Sequence, residues 1–250
     1  MNICVIEKNL STILTAIACY FHNPNAFRNA SRNVNKEVFN KRFCKNKNEA
    51  LSFMGRIKRG LRVANEWIHI SASRDPIERF ISGFVDKCMT ERIYRKRLGT
   101  CNNCEDNVTC FVEQEYIRMQ RFVRGERVNN FDDRHFFPQN WRCDYAHHLQ
   151  QYKIIRYSSE KNAVNEFYAQ LFNYIRSRNA SEADVQFIEN QLYGGRTKHT
   201  TRASEERMKF EQSVRNDTYL MNYIVRMYYW DFLIFGYQFP ELELKPLGVL

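Results

Sequence analysis

The sequence predicts an α/β fold in which helices flank a central, mainly parallel sheet. Short apolar runs rich in β-branched residues alternate with longer segments whose apolar residues recur every three or four positions. A pattern of strand, polar loop and helix occurs twice, within residues 3–20 and 67–88. Because the 250 residues contain no internal repeat and no clear linker, we expect one domain over residues 1–250.

The first strand is expected at residues 3–6, where the sequence is ICVI. The polar loop KNLST follows at residues 8–12, and an apolar helix continues from it with Ser11 or Thr12 as the N-cap. The second strand is expected at residues 67–71. Its helix begins at Pro76, a residue type favoured at the first helical position.

The remainder of the chain continues the alternation. A third strand is expected at residues 152–157. Further helices are expected at residues 108–123, 160–177, 182–192, 205–214 and 219–229. Residues 23–47, rich in Asn, Lys and Arg, are interpreted as a basic surface region, and the aromatic segment 131–143 as irregular.

The net charge of +10 predicts an anionic partner. Nucleic acid, an acidic membrane surface, nucleotides and acidic polysaccharides all fit this charge, which alone does not rank them. No run of about 18 apolar residues occurs, so no transmembrane helix is expected. Residues 1–21 also lack a convincing signal peptide, because Glu7, Lys8 and Asn9 interrupt their apolar character.

Eight cysteines, four of them between Cys101 and Cys143, suggest disulfides and an oxidising compartment. A zinc site built on Cys101-x-x-Cys104 is the alternative. The pairing is left open, since four cysteines allow three connectivities. Acceptor sequons for N-glycans occur at Asn9, Asn29, Asn107, Asn179 and Asn216. Together these signals favour the secretory pathway, and we interpret the chain as lacking the N-terminal membrane anchor of a longer protein.

The polar loop at residues 8–12 suits a phosphate or a sulfate. Ligands of open α/β sheets bind beyond the carboxyl ends of the strands, and a helix N-terminus there offers N–H groups to an anion. Lys8, Ser11 and Thr12 add one cation and two hydroxyls. The loop is not a Walker A motif. An ordinary capped helix with a surface lysine is the alternative interpretation.

Arg74 and Ser82 form a second candidate anion site. Arg74 ends the second strand, and Ser82 lies about two helical turns beyond Pro76, on the face where that helix begins. A guanidinium can clamp a phosphate bidentately while a hydroxyl adds another hydrogen bond. A capping ion pair among Arg74, Asp75 and Arg79 is the alternative.

The two segments CVIEKNLSTILTAI and RDPIERFISGFVDKC, in this order, resemble the two donor-binding elements of sulfotransferases. The second is close to the form found in Golgi carbohydrate sulfotransferases of the chondroitin and dermatan branch, especially nematode members. RHFFPQNWRCDYAHHLQQYKII, HTTRASEERMKF and MYYWDFLIFGYQFP are similar to later segments of that branch. The resemblance covers nearly the whole chain and implies a P-loop-like sulfotransferase domain.

The resemblance also implies a donor, 3'-phosphoadenosine 5'-phosphosulfate (PAPS), and a role for each matching residue. Lys8 matches the lysine near the sulfate, and Ser11 and Thr12 match residues at the 5'-phosphate. Arg74 and Ser82 match the pair on the 3'-phosphate. Asn9 would lie in the same donor loop, where a glycan would block the site. No metal is required.

The chain departs from the family pattern at two positions. Leu10 stands where many members have glycine, and Thr15 where vertebrate members often have a second lysine. The catalytic base is not fixed by the resemblance. His135 is the candidate, because it lies in a family-like segment and histidine can accept a proton near neutral pH; an ordinary loop or core histidine is the alternative. His199 is expected to shape the nucleotide pocket.

The implied reaction is direct transfer of a sulfuryl group from PAPS to a sugar hydroxyl of an acidic glycan, a chondroitin-type glycosaminoglycan or its proteoglycan, in the Golgi lumen. An inactive, glycan-binding member of the same fold is one alternative. A basic nucleic-acid-binding module is another, supported by the charge and by residues 92–97 (RIYRKR) but by no recognised motif. The expectation is therefore that nucleic acid is not a partner, and the oligomeric state is left open.

Overall fold

The computed structural model describes residues 1–50, 52–53, 55, 67–128, 131–194 and 205–242. The described residues within Met1–Arg74 and Trp141–Thr200 form one compact unit. Those within Asp75–Asn140 and Thr201–Leu250 form a second. The expectation of one domain over residues 1–250 stays a prediction.

The described part of the first unit contains an open sheet of three parallel strands, in the order β1-β2-β3. These are β1 (Asn2–Cys4), β2 (His69–Arg74) and β3 (Tyr152–Tyr157). His69 lies between Asn2 and Tyr152 in the register, and Arg74 pairs with Tyr157. The α/β class with a parallel sheet is confirmed, and so are the bounds of β3. Strand β2 begins and ends later than predicted, because its pairing with β3 continues through Arg74.

Helices occupy most of the remaining described chain. In chain order they are α1 (Ser11–His22), α2 (Pro24–Asn29), α3 (Pro76–Phe84), α4 (Val108–Val123), α5 (Phe131–Phe136), α6 (Tyr145–His148), α7 (Lys161–Arg176), α8 (Glu182–Gly194), α9 (Glu205–Asn216) and α10 (Thr218–Phe235). Helix α3 continues as a π-helical turn at Val85–Thr90. In the ranges that the structure describes, none of these helices is both long enough and apolar enough to span a membrane.

The core of the first unit is built from α1, α7, α8 and the sheet. Leu14 and Ile17 of α1 are fully buried with Phe172 of α7 and Ile188 of α8. The interpretation of residues 23–47 as a surface region is wrong in part. Phe27, Val34 and Cys44 are buried in this same core, and they lie too far apart among polar residues to produce a periodic pattern.

The core of the second unit is a cluster of phenylalanines. Phe111 of α4 lies 4.5 Å from Phe136 of α5, measured between ring centroids, and Phe84 of α3 stacks on Phe210. A Cβ atom on Gly83 would lie 2.8 Å from the ring of Phe136, so only glycine fits this contact. The prediction of an irregular segment at 131–143 is wrong at its start, since α5 occupies Phe131–Phe136 and is too short to show a helical period.

All eight cysteines form disulfides: Cys4–Cys143, Cys19–Cys44, Cys88–Cys101 and Cys104–Cys110. The disulfide prediction is confirmed over the zinc alternative. However, the four cysteines between positions 101 and 143 do not pair only among themselves. Cys101 pairs with Cys88, 13 residues earlier, and Cys143 pairs with Cys4, 139 residues earlier, which spacing alone does not reveal.

Candidate functional site

The loop between β1 and α1 is held against the middle strand. The side chain of Asn9 is fully buried and its Nδ2 donates a hydrogen bond of 2.8 Å to the carbonyl oxygen of Ala72 in β2. The Asn9 backbone N–H donates to the carbonyl of Ile6. On either side of this anchor, Lys8 and Leu10 adopt left-handed conformations with φ of 71° and 58°. The loop is therefore a fixed, tightly turned structure.

Leu10 is the N-cap residue of α1, so the prediction of Ser11 or Thr12 at that position is wrong by one or two residues. A leucine side chain cannot accept the hydrogen bond that Ser or Thr would accept, and the described structure contains no side-chain cap on α1. Ser11 and Thr12 instead lie half-buried in the first turn. The positive end of a 12-residue helix, with two hydroxyls, thus follows the carboxyl end of β1.

Arg74 ends β2 and joins this strand to the first loop. Its Nη1 donates a hydrogen bond of 2.9 Å to the carbonyl oxygen of Lys8. Its Nη2 donates one of 2.7 Å to Oγ of Ser159. The guanidinium carbon lies 5.2 Å from the ring centroid of Tyr157, and Arg74 is only 3% exposed. The structure therefore brings Lys8 and Arg74 together at the carboxyl edge of the sheet.

The capping part of the alternative, a capping ion pair among Arg74, Asp75 and Arg79, is observed at Asp75. Asp75 is the N-cap of α3, and its carboxylate accepts a 2.9 Å hydrogen bond from the backbone N–H of Glu78. Burial raises the pKa of Asp75 above its usual value. Arg79 is fully buried and donates to the carbonyl oxygen of Phe137. Asp75 thus caps α3, and Arg79 holds the backbone that follows α5.

Ser82 and His135 lie in the second unit. Ser82 is a buried residue in the last turn of α3. His135 is a half-buried residue of α5 whose Nδ1 lies 3.1 Å from the carbonyl oxygen of Phe131. The predicted proximity of Ser82 to Arg74, and of His135 to the donor loop, stays a prediction. His199 lies outside the described residues.

The segment that follows His135 is held by buried side chains that sequence reasoning missed. The hydroxyl of Tyr228 donates a hydrogen bond of 2.6 Å to the carbonyl oxygen of Phe136. The fully buried carboxylate of Asp231 accepts hydrogen bonds of 2.8 Å from the backbone N–H groups of Gln139 and Asn140. Burial raises the pKa of Asp231, and the nearby Arg79 opposes that rise. The sequence of α10 is rich in aromatic residues, which predicts core packing and gives no signal for these polar contacts.

Ser159 is the other residue that sequence reasoning missed. The signal was present, because β3 and α7 form a third strand-to-helix corner, with Ser159 between them. All three strands are parallel, so this corner lies at the same edge of the sheet as Lys8 and Arg74. In the part of the chain that the structure describes, no group of three or more His, Cys, Asp or Glu side chains is arranged to hold a metal ion.

Taken together, the fold and this edge define an α/β protein with anion-binding features at the ends of two neighbouring parallel strands. Residues 1–238 match the Sulfotransferase family. The chain therefore belongs to the sulfotransferase family.

Two relatives from Caenorhabditis elegans extend this result. The chain is 38% identical over 242 residues to uncharacterized protein C18B2.2, covering 95% of this chain and 67% of the relative. It is 32% identical over 240 residues to carbohydrate sulfotransferase chst-1, covering 95% of this chain and 72% of the relative. No solved structure matches the chain.

Proposed function

We propose that this protein transfers a sulfuryl group from PAPS to a hydroxyl of a chondroitin-type glycosaminoglycan. The oxygen of the sugar hydroxyl attacks sulfur and loses its proton to a base. The bond between sulfur and the bridging phosphate oxygen breaks, and adenosine 3',5'-bisphosphate leaves. Membership of the sulfotransferase family supports the reaction class, and the relative named a carbohydrate sulfotransferase supports a glycan acceptor.

The observation that carries the proposal is the 2.9 Å hydrogen bond from Arg74 Nη1 to the carbonyl oxygen of Lys8. It ties together the two corners that would hold opposite phosphate ends of one nucleotide. Both corners are basic, and one includes a helix N-terminus, which favours bound anions. The residues present therefore suit a donor that carries two separate phosphate groups.

Each donor-site residue has a proposed role. Lys8, Ser11 and Thr12 would bind the 5'-phosphosulfate, and the charge of Lys8 would stabilise the departing phosphate oxygen. Asn9 would shape this loop through its buried bond to β2. Arg74 and Ser82 would bind the 3'-phosphate through charge-assisted and hydroxyl hydrogen bonds.

Leu10 is the feature that keeps an inactive glycan-binding relative as the alternative, because many family members have glycine at this position, which lets the backbone approach the phosphate. Leu10 adopts the left-handed conformation that glycine favours, with φ of 58°. This conformation costs a non-glycine residue about 1–2 kcal/mol. His135 remains the proposed base.

The proposed acceptor is acidic, in keeping with the net charge of +10. Four basic residues at and around the turn Ile93–Arg95 are exposed to solvent: Arg92, Arg95, Lys96 and Arg97. Such a basic surface attracts a sulfated or carboxylated polysaccharide at long range. It is the feature that a nucleic-acid-binding module would also use.

We also propose that the protein works in the Golgi lumen, anchored to the membrane in a longer form. Four disulfides suit an oxidising compartment. The asparagines of four sequons are exposed: Asn29, Asn107, Asn179 and Asn216. Asn9 is fully buried and cannot accept a glycan in the folded protein.

The test of function is incubation of the protein with PAPS carrying a labelled sulfate and with desulfated chondroitin. We expect label in the polysaccharide and release of adenosine 3',5'-bisphosphate in equal amounts. Donor binding with no transfer to chondroitin or to other desulfated glycans would favour the inactive alternative. Salt-sensitive binding to DNA without donor binding would favour the nucleic-acid module.

A further inference from the structure

The third corner of the sheet contacts the proposed donor site through Ser159. This residue lies between the end of β3 at Tyr157 and the start of α7 at Lys161. Its Oγ accepts the 2.7 Å hydrogen bond from Nη2 of Arg74. A guanidinium has no acceptor atoms, so Ser159 must be the acceptor in this bond.

The contacts of Arg74 fix the plane of its guanidinium. Nη1 is held by the Lys8 carbonyl at 2.9 Å, and Nη2 by Ser159. The ring of Tyr157, at 5.2 Å from the guanidinium carbon, lies within the range of a cation–π contact. Arginine has a long side chain whose ordering costs entropy, and a side chain ordered before binding loses less on binding.

We propose that Ser159 is a positioning residue of the donor site. It orients Arg74 before the nucleotide binds, so that the guanidinium is already aligned for the 3'-phosphate. The proposal rests on the proposed function, because it assigns Arg74 to the 3'-phosphate. All three strand-to-helix corners of the described sheet then contribute residues to the site. The sequence pattern indicated only two.

The chemistry predicts selectivity for one end of the ligand. Ser159 acts through Arg74, so its hydroxyl should affect only nucleotides that carry a 3'-phosphate. Adenosine 3',5'-bisphosphate and adenosine 5'-monophosphate differ in that group alone. A loss of general stability in the β3–α7 corner would weaken binding of both.

The experiment is calorimetric titration of the folded protein with each nucleotide. We expect Ser159→Ala to weaken binding of adenosine 3',5'-bisphosphate by about three- to tenfold, the effect of one hydrogen bond. Binding of adenosine 5'-monophosphate should be unchanged. Ser159→Thr, which keeps the hydroxyl, should restore the affinity, and Ser159→Val, of similar shape without it, should not.

The matched control is Ser158→Ala. Its hydroxyl accepts from the backbone N–H of Glu160 at 3.3 Å, in the same loop. We expect Ser158→Ala to bind both nucleotides as the wild type does. If Ser159→Ala does not fold, comparing Ser159→Thr with Ser159→Val also measures the effect of the hydroxyl on nucleotide affinity.

A double-mutant cycle separates this inference from the proposed function. If Ser159 acts through Arg74, Ser159→Ala should cause no further loss in the Arg74→Ala background. Wild-type affinity in folded Ser159→Ala, equal loss for both nucleotides, or full additivity with Arg74→Ala would each overturn the inference. Wild-type affinity in folded Arg74→Ala would instead overturn the proposed function.

Discussion

At the residue scale, the loop between β1 and α1 depends on conformations that its residue types do not favour. Lys8 and Leu10 are both left-handed, which costs non-glycine residues about 1–2 kcal/mol each. The buried bond from Asn9 to Ala72 and the bond from Arg74 to Lys8 oppose that cost. Such strain persists where the surroundings determine the backbone, and it is common at functional sites.

Lys8→Ala should lower turnover more than it lowers donor affinity. In the proposed reaction, the charge of Lys8 acts when negative charge develops on the departing phosphate oxygen, so its loss should act on the transition state. We expect turnover to fall about 100- to 1,000-fold and the dissociation constant for adenosine 3',5'-bisphosphate to change much less. Rates at saturating PAPS, together with calorimetric titration, measure the two effects.

The control for this prediction is Lys36→Ala, which removes an exposed lysine from the same unit. Its turnover should match that of the wild type. Equal losses of turnover and affinity in Lys8→Ala would mean that Lys8 only binds the donor.

At the element scale, the disulfide-rich turn before α4 is held by buried carboxyl groups. Asn102 donates from Nδ2 to Oε2 of Glu115 at 2.7 Å and from its backbone N–H to Asp132 at 3.2 Å. Arg118 forms an ion pair with Asp133, and its Nε lies 3.6 Å from Oε2 of Glu115. Burial raises the pKa of Glu115 to about 8, and it also raises the pKa of Asp132.

This burial predicts that stability falls as pH rises. Glu115 keeps its proton up to about pH 8 when folded but loses it near pH 4.5 when unfolded. Between these values the folded state binds more protons than the unfolded state. The contribution of Glu115 to the free energy of unfolding is therefore complete below pH 4.5 and is lost by about pH 8. The contribution of Glu115 to the slope is at most about 1.4 kcal/mol per pH unit.

Glu115→Gln should therefore flatten the dependence of the free energy of unfolding on pH between about 5 and 8. Urea denaturation across that range measures it. Glu206→Gln, at an exposed position of α9, should keep the wild-type slope. A Glu115→Gln variant with the wild-type slope would show that Glu115 is ionised in the folded protein.

The elements themselves were largely predictable from sequence. Helix α4 and strand β3 have the predicted bounds, because each has a long periodic or apolar pattern. The cap of α1 was misplaced, since a loop held by tertiary contacts puts Leu10 where propensity favours Ser or Thr. The contact between Ser159 and Arg74 joins residues 85 positions apart, which no local pattern encodes.

At the scale of the whole molecule, disulfides connect distant parts of the chain. Cys4–Cys143 closes a sequence separation of 139 residues, whereas Cys104–Cys110 closes one of 6. A longer closed loop removes more conformational entropy from the unfolded chain. The pairing was not readable from the sequence, because it depends on which strand end and loop the fold brings together.

Replacing both Cys4 and Cys143 by serine should lower the free energy of unfolding by roughly 3–5 kcal/mol. The matched variant, with Cys104 and Cys110 both replaced, should lose only about 2 kcal/mol. Denaturant unfolding under non-reducing conditions compares them. An equal or larger loss in the Cys104 and Cys110 variant would contradict the loop-entropy explanation.

The central claim is that one nucleotide binds at the edge where Arg74 meets Lys8. Calorimetric titration of wild-type and Arg74→Ala proteins with adenosine 3',5'-bisphosphate tests it most directly, with circular dichroism to verify folding and Arg74→Lys as a variant that keeps the charge. We predict that Arg74→Ala loses about 1.5–3 kcal/mol of binding free energy, roughly 10- to 150-fold in affinity, with a smaller loss in Arg74→Lys. Undiminished affinity in a folded Arg74→Ala protein would contradict the claim.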